Sequence, residues 1–148
     1  MSFPIRPMRH HLRSRLQARK AFTLVEILIV VVLLGVIVAA AVPAISQYKA
    51  AQAQTVMIND GQRLGAAAQG YFAETLERAV TVKYNPATGA IGAPAAFRMQ
   101  DGNRIAPDYV LPGNEIRITF DTKEAFTLKH PEGGSYTFSD KGDLSRSE

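Results

Sequence analysis

The longest apolar stretch of the chain runs from Phe22 to Val42 and contains one charged residue, Glu26. At about 1.5 Å per helical residue these 21 residues would extend roughly 32 Å, which matches the hydrocarbon thickness of a bilayer. The pattern therefore predicts a membrane-spanning helix over residues 22–43. Pro43 lacks a backbone N–H, and we expect it to kink this helix without ending it, because helical spacing resumes directly afterwards.

A second helical pattern covers residues 44–76. One mostly apolar face recurs there at spacings of three or four, as in an amphipathic helix; its members are Ile45, Tyr48, Gln52, Val56, Leu64, Ala68, Tyr71, Phe72 and Thr75. Gly61, Gly65 and Gly70 each disfavour helix by about 1 kcal/mol, but they could let a sheet approach the helix closely. Together the two patterns predict one long helix with a membrane half and an amphipathic half.

Turn-forming residues dominate residues 77–114, which we predict to be a connecting loop region, with a short strand at Val80–Tyr84 as an open alternative. Residues 115–139 instead alternate apolar and polar side chains in three runs with turn residues between them. This alternation predicts an antiparallel meander of about three strands, so that residues 115–148 form a meander and a tail. A helix whose second half packs on such a sheet is an α+β fold.

The charge of the chain is concentrated at its N-terminus. Residues 1–21 hold six basic side chains and no acidic one, which leaves 11 of the 17 basic residues against all 13 acidic ones in residues 22–148. A basic block beside a membrane span stays on the cytoplasmic side, so the C-terminal domain would be exported. We therefore expect no binding to nucleic acid.

Few residues of the chain could carry chemistry. There is no cysteine, and the three histidines form no paired metal motif, so we predict that the protein is not an enzyme and has no cofactor. One alternative stays open, because Asp140 and Asp143 lie three residues apart around a glycine. Calcium prefers oxygen ligands from such acidic loops, although a polar turn explains the same residues.

Residues 19–48 resemble the class III signal of type IV pilins and type II secretion pseudopilins. In that family a basic leader ends in a small residue, usually glycine, and is followed by Phe, Thr, Leu, an aliphatic residue, Glu and an apolar helix. Here the match is Lys20-Ala21, then Phe22-Thr23-Leu24-Val25-Glu26 and the apolar run. The resemblance implies that prepilin peptidase cuts between Ala21 and Phe22, removes residues 1–21 as a leader, and leaves an amine on Phe22 that is N-methylated.

The resemblance also implies a function, a location and a set of partners. The protein would be a structural subunit of a type II secretion pseudopilus or a type IV pilus-like filament, with a pilin-like fold. It would first be a single-pass inner-membrane protein with a cytoplasmic N-terminus and later part of a periplasmic or surface filament. Its partners would be prepilin peptidase, an inner-membrane assembly platform, membrane lipid, copies of itself and other pilin-like subunits. Major pseudopilins bind calcium in a C-terminal loop, which favours calcium at Asp140 and Asp143.

Glu26 is the one ionisable residue inside the predicted span. An acidic side chain at membrane depth costs on the order of 2.5–3.5 kcal/mol, so we expect a specific partner for it. After cleavage the cationic amine of Phe22 would lie four residues away on the same helix. Pairing of that amine with Glu26 of the same chain or of a neighbour would set the axial register between subunits.

A different export route is the alternative to this interpretation. Ala39-Ala40-Ala41 resembles an ordinary signal-peptidase site, and Ile27–Val38 would serve as its hydrophobic region. Cleavage there would discard Glu26 and release a soluble domain that begins near Val42. Without that cleavage, the protein would be a permanently membrane-anchored extracytoplasmic protein.

Overall fold

The structure is a computed structural model that describes residues 23–148. In this part of the chain one long helix, α1 (Leu24–Thr75), is followed by six strands: β1 (Ala79–Tyr84), β2 (Ile91–Gly92), β3 (Glu115–Thr119), β4 (Phe126–His130), β5 (Gly134–Phe138) and β6 (Leu144–Ser147). A 3-10 turn at Pro112–Asn114 precedes β3. The predicted fold class is confirmed: the protein is α+β, with a long N-terminal helix and small antiparallel sheets of three strands.

Local chemistry accounts for both ends of α1. The side-chain oxygen Oγ1 of Thr23 accepts a hydrogen bond from the backbone N–H of Glu26 at 3.2 Å, and a Thr three residues before a Glu is the sequence of a capping box. At the other end, Leu76 takes the left-handed conformation with φ of 59°. Its N–H donates to the Phe72 carbonyl at 3.0 Å, which closes the last turn.

The chain divides into two compact units between Ala39 and Ala40. The described part of the first unit, residues 23–39, is the apolar portion of α1, and every residue in it is exposed. The second unit, residues 40–148, contains the rest of the helix, all six of the described strands and the hydrophobic core.

The strands form two three-stranded antiparallel sheets with the orders β2-β1-β3 and β4-β5-β6. The predicted single meander is therefore wrong: β3 pairs with β1, from within the predicted loop region, and not with β4. The register explains this pairing, since Val80 lies opposite Ile118 and Val82 opposite Ile116, all buried on one face. The predicted tail also contains a strand, β6, whose four residues are all exposed and so show no alternation.

The buried face of α1 lies against the C-terminal region through small side chains. A Cβ atom added to Gly61 would lie 2.3 Å from the ring of Phe138, and one added to Gly65 would lie 2.1 Å from the backbone N of Gly142. These two glycines therefore permit the close approach that the sequence indicated. Gly70 does not share this role, because nothing lies within 4 Å of its added Cβ.

The first part of the predicted apolar face is not in the core. Ile45 and Tyr48 are 56% and 64% exposed, and Val56 is 43% exposed, whereas Met57 and Leu64 are fully buried. The sheets cover α1 only from about Met57 onward, so earlier apolar positions on the helix have no sheet to pack against.

Candidate functional site

Glu26 lies in the first turn of α1 and is exposed. The backbone N–H of Glu26 donates to the side chain of Thr23, which caps the helix. An acidic side chain in this turn is also favoured by the positive end of the helix dipole. Local helix physics thus gives Glu26 a stabilising role in addition to any pairing with a cationic amine. Lys20, Ala21 and Phe22 lie outside the described residues, so the cleavage site and the pairing of Phe22 with Glu26 stay predictions.

The apolar part of α1 is long and apolar enough to cross a membrane, and none of this span is buried within the described residues. Its large aliphatic side chains, between Leu24 and Val42, are each between 46% and 85% exposed. A contiguous exposed apolar surface of this length requires a cover of lipid or of other helices. This stretch therefore defines a surface that interacts with a membrane or with other apolar helices.

Pro43 lies inside α1, which continues through it. The sequence indicated that the helix would continue past Pro43, and it does. The hydroxyl of Ser46 donates to the Pro43 carbonyl at 2.9 Å. The kink itself stays a prediction.

Asp140 is buried, and its carboxylate is occupied by the protein's own donors. Its Oδ2 accepts hydrogen bonds from Nε2 of Gln69 at 2.8 Å and from the backbone N of Asp121 at 2.9 Å. Asp143 donates its own N–H to the Ser139 hydroxyl at 3.1 Å. Across residues 23–148 no group of three or more His, Cys, Asp or Glu side chains could hold a metal ion. The arrangement fits a hydrogen-bonded turn better than a calcium cage, and calcium at Asp140 and Asp143 stays a prediction.

A buried polar network inside the domain was not found from the sequence. Asp60, only 4% exposed, accepts hydrogen bonds through Oδ2 from the backbone N of Ala106 at 2.8 Å and the hydroxyl of Tyr109 at 2.9 Å. Its Oδ1 lies 3.2 Å from Nη1 of Arg63. The sequence did contain a sign of this network: Asp60 falls between Met57 and Leu64 on the buried face of the helix, where an acidic side chain needs hydrogen-bond partners.

This network fixes the long segment between β2 and β3 onto α1. The hydroxyl of Tyr84 donates to the Ala106 carbonyl at 2.9 Å and accepts from the backbone N of Tyr109 at 3.0 Å. Burial, together with the neighbouring Asp60 carboxylate, raises the pKa of the Tyr109 hydroxyl well above its ordinary value. Tyr109 therefore stays protonated and remains a donor to Asp60.

Comparison with known proteins finds one similarity, and it lies in the N-terminal part of the chain. Residues 16–42 match the family model described as the prokaryotic N-terminal methylation motif, so the match includes the basic segment before Phe22, Glu26 and the apolar run. No curated protein and no solved structure matches the chain. Motif and apolar helix together define a membrane-anchored protein.

The matched motif is the class III signal, which is found in type IV pilins and pseudopilins.

Proposed function

We propose that this protein is a structural subunit of a type II secretion pseudopilus or of a type IV pilus-like filament. One observation carries the proposal: the methylation motif at residues 16–42 overlaps a helix whose apolar span is wholly exposed in the described chain and continues into a folded domain. In this proposal, lipid covers the apolar span before assembly, and the apolar helices of neighbouring subunits cover it afterwards.

The proposed sequence of events combines the orientation that the charge distribution indicates with the processing that the methylation motif implies. The basic leader stays in the cytoplasm and the domain of residues 44–148 is exported. Prepilin peptidase cuts between Ala21 and Phe22, Phe22 is N-methylated, and an assembly platform in the inner membrane moves the subunit into a filament. Because the exported domain has no cysteine, its stability rests on core packing, which is compatible with pseudopilins and with pilins that lack disulfides.

The proposal is tested by the mass and N-terminal sequence of the mature protein isolated from cell envelopes. A start at N-methylated Phe22 supports it, and the Ala21→Gly variant should then be processed at least as well as the native chain. A start at Val42 would instead show cleavage by ordinary signal peptidase and would overturn the proposal. An intact leader in cells that contain prepilin peptidase would overturn it as well.

A further inference from the structure

The outward face of α1 in the folded domain carries almost no charge. Only Asp60, Arg63 and Glu74 are charged among residues 50–75, and Asp60 is buried. The exposed positions are small or uncharged, and include Ala51, Gln52, Thr55, Asn59, Gln62, Ala66, Gly70 and Ala73. A helix face that stays in water usually carries charged residues, whereas a face that becomes covered avoids them because burial of an unpaired charge is costly.

The two remaining charges on this face are of opposite sign and share one line along the helix. Glu74 follows Arg63 by 11 residues, which is about three turns and roughly 16 Å along the axis. Arg63 is partly buried and contacts Asp60. Glu74 is exposed and makes no ion pair with any residue of the described chain.

Arg63 also lines a groove of about 580 Å³ together with Arg98. The other polar side chains of this groove are the amides of Asn59, Gln62 and Gln100 and the carboxylate of Asp101. Arg63 is already paired with Asp60, so Arg98 is the guanidinium of this groove that can bind an additional acidic group, and arginine binds carboxylates through parallel hydrogen bonds.

The position of Arg98 is set by the segment that carries it. Phe97 and Met99 on either side are buried in the core, which points the side chain between them outward. The side chain of Asn103 clamps this turn, accepting from the N of Met99 at 2.9 Å and donating to the carbonyl of Phe97 at 3.2 Å. Nε of Arg98 donates to the Ala95 carbonyl at 3.0 Å, so its two terminal nitrogens can serve another acceptor.

We propose that this groove receives the Glu74 carboxylate of a second copy of the chain, an inference that rests on the proposed function. Copies inserted in one membrane share one direction, so their helices run parallel. An axial offset of about 16 Å, the spacing of 11 helical residues, then brings Glu74 of one copy to the level of Arg63 and Arg98 of the next. Groove and carboxylate are different patches of one surface, and such a heterologous contact propagates into an open filament.

Charge reversal in the full-length chain tests the pairing. In cells that assemble the native protein, Arg98→Glu and Glu74→Arg should each lower the filament yield by about fivefold, the effect of an exposed ion pair near the upper end of its usual strength. The double variant should recover the native yield. Arg117→Glu and Glu124→Arg, exposed on β3 and on the turn after it, are the matched controls and should assemble normally.

Cross-linking gives an independent measurement, because the chain has no cysteine of its own. Glu74→Cys combined with Arg98→Cys should give a disulfide ladder of the protein under oxidation, whereas Glu124→Cys combined with Arg98→Cys should not. A single dimer band in place of a ladder would overturn the proposed contact. Full assembly of Arg98→Glu, or no recovery in the charge-swapped double variant, would overturn it too.

Failure of this contact and failure of the proposed function give different results. If the native chain is processed and assembled while Arg98→Glu assembles equally well, only the contact is wrong. If the native chain forms no filament in any host that processes it, the proposed function is wrong and the contact falls with it.

Discussion

At the scale of single residues, Asp60 organises more of the domain than any residue that the sequence singled out. One buried carboxylate accepts hydrogen bonds from Arg63, from the backbone of Ala106 and from Tyr109. These three donors come from the helix and from the long segment before β3, so a single side chain joins parts of the chain that are 46 and 49 residues apart. Removal of that carboxylate would leave several buried groups without partners.

We expect Asp60→Ala to lower the free energy of unfolding by about 3 kcal/mol or more. The substitution leaves the charge of Arg63 without its partner and the hydroxyl of Tyr109 without its acceptor. The measurement is denaturant unfolding of the mature chain in detergent, followed by circular dichroism. Glu124→Ala, at an exposed acid, is the control and should change stability by no more than about 0.5 kcal/mol. Equal effects of the two variants would contradict the structural role of Asp60.

The buried tyrosines predict a loss of stability at alkaline pH. Burial raises the pKa of Tyr84, and burial and Asp60 raise that of Tyr109, whereas a tyrosine in the unfolded chain loses its proton near its ordinary pKa of about 10. Above that pH the folded state binds more protons than the unfolded state. Stability is therefore complete below about pH 10 and decreases as the pH rises further, by up to about 1.4 kcal/mol per pH unit for each group.

Unfolding measurements between about pH 9 and pH 11 test this dependence. Tyr109→Phe should reduce the alkaline slope, whatever it does to stability at neutral pH, because one group with a raised pKa is gone. Tyr48→Phe, at an exposed tyrosine, should leave the slope unchanged. A slope that is the same in all three proteins would assign the alkaline loss to other groups.

At the scale of secondary structure elements, small residues determine how α1 meets the C-terminal sheet. Gly61 and Gly65 lie on the buried face and contact Phe138 and Gly142 closely, whereas Gly70 faces open space. Glycine is unfavourable within a helix by about 1 kcal/mol. At Gly61 and Gly65 the close approach offsets that cost, and at Gly70 the described structure shows no such contact.

Two alanine substitutions on the same helix should therefore act in opposite directions. Gly70→Ala should stabilise the domain by about 1 kcal/mol through helix propensity. Gly65→Ala should destabilise it by about 1–3 kcal/mol, because its Cβ meets backbone that cannot turn aside. Thermal unfolding of both variants beside the native chain is the measurement, and stabilisation by Gly65→Ala would contradict the close packing.

At the scale of the whole molecule, the chain combines an apolar span without cover and a folded domain with its own core. The core of the domain lies within residues 57–138, so it does not need the apolar span for its packing. In the proposed function, the same chain would keep a folded domain while its span exchanges lipid for neighbouring helices. The role of Glu26 in that exchange is a prediction at this scale, because it concerns contacts between subunits.

Glu26→Ala should leave membrane insertion and cleavage intact but reduce filament assembly, because the partner of the Phe22 amine is lost. Glu26→Gln separates pairing from helix capping, since glutamine can replace glutamate in a capping box but carries no charge. If charge pairing sets the register, both variants should show reduced filament assembly. Filament yield and N-terminal processing are measured together, and normal filaments from Glu26→Gln would refute the pairing.

The membrane span, the α+β class and the methylation motif were predictable from the sequence, because each depends on residues that are close together in the chain. A long apolar run, the 3.6-residue repeat of a helix and the two-residue repeat of a strand are local patterns. The same holds for Phe22-Thr23-Leu24-Val25-Glu26, whose meaning lies in the order of its residues. The strands β3, β4 and β5 were likewise visible as alternating runs.

Tertiary structure alone decided which strands pair and which side chains meet. Alternation marks β3 as a strand but does not say that its partner is β1, about 35 residues earlier, since many strands can offer a matching apolar face. Asp60 finds Tyr109, and Arg63 shares a groove with Arg98, only because the segment before β3 folds back on α1. These contacts join residues far apart in the chain, and no local pattern carries information about them.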